Sequence, residues 1–219
     1  MKSDAAQPLL HASVYDELRG RFIGGRISPG TGLSTRTLAL ELGVSQMPVR
    51  DALSRLAAEG AVSIRSKRKI EIPPMTADRF DDLLACRLLL EPEAAALAME
   101  RMTSADIETL RAYDETLDRA ISERDVRAYT EANRAFHFTL YRAAARPTLD
   151  RLIETLWLQF GPFMGHVYER YPETILADQH RIALDALDRR DEVAVRAAIA
   201  QDIRDGMTLI ARSALARDA

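Results

Sequence analysis

The chain has 219 residues, 47% of them hydrophobic, and a formal net charge of −3. That length can bury a sizeable core and leaves room for two domains. A single cysteine, Cys86, excludes a disulfide framework and any cysteine-based zinc site. No apolar run reaches the roughly 20 residues of a membrane span, and the N-terminus lacks the apolar block of a signal peptide, so a soluble, cytoplasmic protein without a membrane partner is expected.

The overall negative charge argues against nucleic-acid binding, but its distribution argues for it. Residues 1–75 hold 11 basic against 7 acidic side chains, a net +4, while the remainder holds 19 against 26, a net −7. A basic module joined to an acidic one suits phosphate contact at one end and a different task at the other.

Met1 to Pro8 is polar and is expected to lack structure. From Leu9 to about Gly24, Leu10, Val14, Leu18 and Phe22 recur at helical intervals, with Gly24-Gly25 as the stop. Ser28-Pro29-Gly30 reads as a turn. Leu38, Ala39 and Leu42 then give a short apolar face, and Gly43 ends that helix in a residue tolerant of positive φ. Ser45 is placed to cap the next helix, and Pro48 falls in its first turn, where a missing N–H costs little. Val49, Ala52, Leu53, Leu56 and Ala57 face a core. Gln46, Arg50 and Ser54 face outward, with Arg36 at the start of the preceding helix. Two short helices joined by a Gly-containing turn, the second presenting polar residues from its N-terminal end, are what a major groove accepts. Ala61 to Arg65 and Lys69 to Ile72 alternate as strands, with Ser66 to Arg68 as the tip between them. Arg65, Lys67, Arg68 and Lys69 would reach phosphates or the adjacent minor groove; taken without the preceding helices they would be an ordinary solvated basic loop.

The segments Ile27 to Gly30, Leu33 to Ala39, Val44 to Leu53 and Leu56 to Gly60 resemble the winged helix-turn-helix of GntR-type transcription regulators. That resemblance implies double-stranded DNA contact through Arg36, Ser45, Gln46, Met47 and Arg50, with the wing adding Arg65, Lys67, Arg68 and Lys69. Two residues depart from the family pattern: Gln46 stands where Arg is usual, and Lys69 where the wing tip often has Gly. Gln prefers adenine edges and Arg prefers guanine, so the operator is expected to differ at that base.

Pro73-Pro74 ends the hairpin, and beyond it the pattern is helical throughout. Thr76 caps a segment whose inner side carries Phe80, Leu83, Leu84, Leu88, Ala94, Ala95, Leu97 and Ala98, and Pro92 should kink or break it. Thr103 to Asp106 looks like a cap opening a helix with Ile107, Leu110, Leu117 and Ile121. Glu123 to Ala145 follows, then a helix from Pro147 interrupted or kinked near Gly161-Pro162. Pro172 begins another with Ile175, Ile182, Ala183, Leu184 and Leu187, and Asp191 opens the last. The expected fold is mainly α: a winged helix-turn-helix with a small β-hairpin wing over residues 1–75, then an all-α bundle of six to seven helices over residues 76–219.

Within that bundle Arg87 to Glu91 followed by Ala94-Ala95, the run Asn133 to His137, the pair His180-Arg181 and the C-terminal helix around Asp202 resemble the FCD ligand-binding domain of the FadR branch of GntR regulators. Asn133 and His137 lie four apart and project from one helical face. The resemblance places Asn133, His137, His180 and Asp202 where metal-binding members hold one divalent ion through an acid or amide and three histidines. Two imidazoles, a carboxylate and an amide oxygen suit zinc, nickel or manganese; without the family, two histidines on apolar helices are more often satisfied core residues. The same positions, with Arg87, are expected to line a polar cavity for an organic acid. Arg87 has two available partners, Glu91 one turn on or a ligand carboxylate gripped by its fork. Arg134, His166 and Tyr168 read as surface or packing residues, Trp157, Phe160 and Phe163 as core or cavity wall, and Cys86 as a small buried hydrophobe.

The expected function is therefore a ligand-responsive transcription regulator, a repressor by family habit, acting as a homodimer on a pseudo-palindromic operator. Two alternatives have different requirements. A metalloenzyme would use the His/Asp set to activate water, and a structural DNA-binding protein would have a closed, apolar bundle.

Overall fold

The computed structural model describes residues 6–66, 69–170 and 179–214. Helix α1 (Ala6–Ile23) begins inside the stretch expected to lack structure, and Met1 to Ala5 lie outside the described residues. Its Val14, Leu18 and Phe22 are buried, as their spacing requires, and it packs on α3 (Gln46–Ala58). Helix α2 (Thr35–Leu42) is capped by Ser34, whose hydroxyl accepts from the Thr37 N–H. It ends at Gly43 with φ 66°, and the following amides close back on Leu40 and Ala39. That left-handed residue costs little only because it has no Cβ.

Ser45 takes the extended backbone of an N-cap before α3, but its side chain makes no capping hydrogen bond, contrary to expectation. The reason is local: a capping hydroxyl serves the second or third amide of a helix, and the third residue here is Pro48, which has none. The wing consists of β1 (Ser63–Ser66) and β2 (Lys69–Glu71), antiparallel, with Ile64 opposite Ile70 and an irregularity before Ser66. Leu33 bridges to Ile70 and ties the hairpin to the approach of α2.

Thr76 caps α4 (Ala77–Ala98), accepting from the Arg79 N–H. The helix runs through Pro92 without the break that the residue could have caused. Proline removes one i→i−4 bond, that to the Leu88 carbonyl, and the following turn is held by buried Ala94, Ala95 and Ala98 and by extensive packing on α9 (Glu192–Ala214). Helix α5 (Ser104–Glu123) opens with a reciprocal capping box between Thr103 and Asp106. Helix α6 (Val126–Ala143) follows Asp125, whose carboxylate accepts from the Ala128 N–H. Helix α7 (Pro147–Arg170) passes through Gly161-Pro162 without interruption. Helix α8 (Gln179–Asp188) completes the bundle of six helices among the described residues; Pro172 and Ile175, expected in its first turns, lie outside them. Ile182, expected on the inner side, is exposed, and Cys86 is half-buried rather than buried.

One apolar cluster runs from Val14 in the head to Ile210 in α9, with Phe136, Leu140, Ile153 and Leu158 at most 1% exposed. Burying each such side chain contributes about 1.5–3 kcal/mol. Head and bundle meet along α1 and α7. Arg19 of α1 pairs with Glu154 of α7. Arg79 donates to the Pro73 carbonyl at 2.7 Å and to the Gly60 carbonyl at 3.2 Å, strapping linker and head to the first turn of the bundle. At the centre, a Cβ on Gly161 would stand 2.5 Å from the Phe22 carbonyl oxygen and 2.8 Å from that of Ile23.

Gly161→Ala therefore sets two effects against each other. Better helix propensity contributes about 1 kcal/mol, while forcing apart a packed seat typically costs about 1–3 kcal/mol. The steric effect should win, giving a lower denaturation midpoint; an unchanged or higher midpoint would show that the seat yields.

Candidate functional site

In the head, the outward residues converge on one concave face. Ser34, Thr35, Arg36, Gln46, Arg50 and Ser54 line a groove of about 500 Å³ closed by Leu53, Ile64 and Ile70. Ser45, Gln46, Met47 and Arg50 are exposed at the N-terminal end of α3, and Met47 is 53% accessible despite its apolar side chain. An exposed thioether beside an amide and a guanidinium is a surface suited to base edges and thymine methyls. Arg65 is exposed on the wing and pairs with Glu71 at 2.9 Å. Lys67 and Arg68 lie outside the described residues, as does the side chain of Lys69. No shared cap orders the face; the groove forms because α2 and α3 pack through Leu38, Ala39, Val49 and Leu53.

In the bundle, a cavity of about 100 Å³ is lined by Arg87 from α4, Asp114 from α5, Asn133 and His137 from α6, Trp157 and Phe160 from α7, His180 from α8 and Asp202 from α9. All four expected metal positions and Arg87 thus reach one space. Arg134 lines a separate crevice with Arg19, Arg142 and Glu154, in keeping with a packing role. His166 is half-buried, and the Tyr168 side chain lies outside the described residues.

His137 is 1% exposed and His180 7%. His137 Nε2 stands 3.3 Å from His180 Nε2 and 3.2 Å from Asp202 Oδ2, and His180 Nε2 stands 3.5 Å from Asp202 Oδ1. Ligand atoms about 2.0–2.2 Å from a tetrahedral ion lie about 3.3–3.6 Å from each other, so these separations suit one. Their potential ligand atoms all fall within 4.8 Å of one another. Asn133, one turn from His137 and 8% exposed, supplies an amide oxygen to the same cavity. Burial pushes the His137 imidazolium below its ordinary 6.5, with Asp202 opposing only in part. Burial alone would raise the Asp202 carboxyl, but His180, then His137 and Arg87, bring it down to about 2. A neutral buried imidazole beside a carboxylate is the donor set that divalent cations take.

Behind the ligand atoms lies an inner layer. Glu91 is fully buried and accepts from Arg87 Nε at 2.5 Å, Arg87 Nη2 at 3.1 Å, Tyr141 Oη at 2.9 Å and Trp157 Nε1 at 3.1 Å. The Arg87 guanidinium also lies 3.7 Å above the Phe160 ring. The pairing of Arg87 with Glu91 that the spacing allowed is formed. The Tyr141 hydroxyl is 2.9 Å from His137 Nδ1. On the other side, His180 Nδ1 faces Asp114 Oδ1 at 3.6 Å.

Asp114, Tyr141 and Trp157 were not singled out as functional from sequence, though two signals exist. Asp114 falls on the inward stripe of α5, between Ile107, Leu110 and Leu117, and it is 6% exposed. An acid in that stripe needs a partner across the bundle. Tyr141 follows His137 by one helical turn and Asn133 by two, so the three share a face.

Residues 10–72 match the gntR family of bacterial regulatory proteins, and residues 82–205 match the FCD domain. The sequence is 29% identical over 204 residues, 92% of each chain, to the HTH-type transcriptional regulator McbR of Escherichia coli K12. It is 28% identical over 206 residues, 88% of this chain and 81% of the relative, to the gluconate operon transcriptional repressor of Bacillus subtilis 168. The solved structure of E. coli McbR/YncC superposes with a TM-score of 0.85 at 29% identity, over 93% of this chain and 98% of that one. These relatives are transcription regulators, which sets aside the metalloenzyme alternative. Proteins built this way bind DNA operators through the first unit and small-molecule effectors through the second. No helix among the described residues is long and apolar enough to cross a membrane. With a GntR winged helix-turn-helix ahead of an FCD bundle, the chain belongs to the GntR family, FadR type, and is a DNA-binding transcription regulator.

Proposed function

We propose that this regulator is a homodimeric repressor whose bundle binds a divalent ion together with a small organic acid, and whose heads release a pseudo-palindromic operator in response. The observation that carries the ligand reading is the cavity between α4 and α9, where two buried imidazoles and a carboxylate stand at mutual distances of 3.2–3.5 Å. Asn133, His137, His180 and Asp202 would hold the ion, which supplies positive charge for an acid to meet. Zinc suits the tetrahedral spacing, and nickel or manganese would accept the same nitrogen and oxygen donors. At about 100 Å³ the space is well below the ~300–1,000 Å³ of sites for drug-sized ligands. A short carboxylate fits it better than a sugar acid.

Dimerisation follows from the reading of the head, since one groove face addresses one half-site and a two-fold protein matches a two-fold operator. Gln46 would read an adenine edge, Arg36 and Arg50 bases or phosphates, and the wing would add salt-dependent affinity. The relatives that carry the word repressor in their names support the sign of regulation.

Two measurements bear on this separately. Arg50→Ala should remove discrimination between operator and random DNA while leaving a folded protein with an unchanged denaturation midpoint, because Arg50 is exposed. Fluorescence anisotropy over a salt series reads it, and retained discrimination would remove Arg50 from the recognition face. His137→Ala should lower the zinc, nickel or manganese bound per chain, read by elemental mass spectrometry after dialysis; an unchanged stoichiometry would place the ion elsewhere.

A further inference from the structure

The sequence left Arg87 a choice between Glu91 and an acidic effector, and one edge of its fork is held by Glu91. Nε and Nη2 both reach Glu91, and the plane of the guanidinium rests on Phe160. Glu91, at 0% exposure, accepts four hydrogen bonds and has nothing to donate. The Tyr141 hydroxyl carries one proton, and that proton is committed to Glu91 Oε2. Towards His137 Nδ1, 2.9 Å away, the same hydroxyl can then act only as an acceptor. A neutral imidazole whose Nδ1 donates has a bare lone pair on Nε2, and His137 Nε2 is the atom facing Asp202 and His180.

From this arrangement we infer that Arg87, Glu91 and Tyr141 form a relay that fixes the proton of His137 on Nδ1 and turns the Nε2 lone pair into the cavity. Arg87 is thus a positioning residue for a metal ligand. The inference rests on the metal reading for its purpose but not for its geometry: with the hydroxyl proton on the Glu91 side, Tyr141 draws the imidazole proton to Nδ1 against the competing pull of Asp202, 3.2 Å from Nε2. Histidines that bind metals commonly have their second nitrogen fixed by such a partner, which sets both ring orientation and tautomer. The relay also explains why a full ion pair lies beneath a cavity wall. A carboxylate has no proton to offer, so it favours the tyrosine hydroxyl as a donor towards itself, in a buried pair whose role is to define geometry.

The relay implies a tautomer that can be observed with no ion bound. The full-length protein, labelled with nitrogen-15 and stripped of metal, is examined by long-range proton–nitrogen correlation at neutral pH, and zinc affinity is then measured by competition with a chromophoric chelator. In the wild type, His137 should show a protonated Nδ1 and an unprotonated Nε2. In Tyr141→Phe, which keeps the ring and removes the acceptor, the proton should move to Nε2, where Asp202 accepts it. Zinc affinity should fall by about 10- to 100-fold, the usual cost of losing such a partner. A wild-type His137 protonated on Nε2 would overturn the relay, and that spectrum decides the matter even if the variant fails to fold. A variant that keeps both the tautomer and the affinity would overturn it too. A wild type with the Nδ1 proton that binds none of zinc, nickel or manganese supports the relay and removes the metal reading alone.

Discussion

Helix α7 has two jobs on two faces, and both halves of the molecule depend on it. Trp157, Phe160 and Met164 form one wall of the cavity, while Glu154 and Gly161 carry the seat of α1. At Gly161 two backbones meet with no side chain between them, so no flexible group is available to absorb a displacement of one against the other. Interiors packed at this density pass a shift on rather than dissipating it. Pro162 leaves the buried Leu158 carbonyl without its usual helical donor, between the cavity-facing and head-facing residues. A helix anchored at both faces and lacking one internal bond midway has a defined place to bend.

Glu91 gives the bundle its second constraint. A fully desolvated carboxylate is tolerated only with a matched set of donors, and here α4, α6 and α7 each contribute to that set. Leaving such a charge without its partner costs roughly 3–5 kcal/mol, so these three helices have one favourable mutual register. The ring of His137 stands on that register through Tyr141, which makes the position of the innermost imidazole a property of the whole bundle rather than of one helix.

Much of the head was legible in the sequence because its determinants are local. Leu38, Ala39, Gly43, Val49, Ala52 and Leu56 each report a face or a stop through spacing and φ tolerance, and all behave as read. The convergence of Asn133, His137, His180 and Asp202 was legible only through family resemblance, since spacing fixes a face within one helix and nothing about three others. Reading failed where tertiary packing overrides a local rule. The breaks that Pro92 and Pro162 could have caused do not occur, because buried neighbours hold the turns together. Asp114 went unread because an inward acid on α5 gains meaning only when His180 arrives from α8. Arg87 could be assigned to Glu91 or to a ligand from sequence alone; that Glu91 is a shared acceptor beneath the Phe160 ring needed the donors of Tyr141 and Trp157.

The proline at the third position of α3 has an outcome that reaches beyond the helix. Where Ser34 closes its own helix internally, Ser45 leaves its hydroxyl and the leading amides of α3 turned to solvent, at the positive end of the helix dipole. Helix α3 thus begins with its polar end unclosed from within, on the same face that carries Gln46 and Arg50.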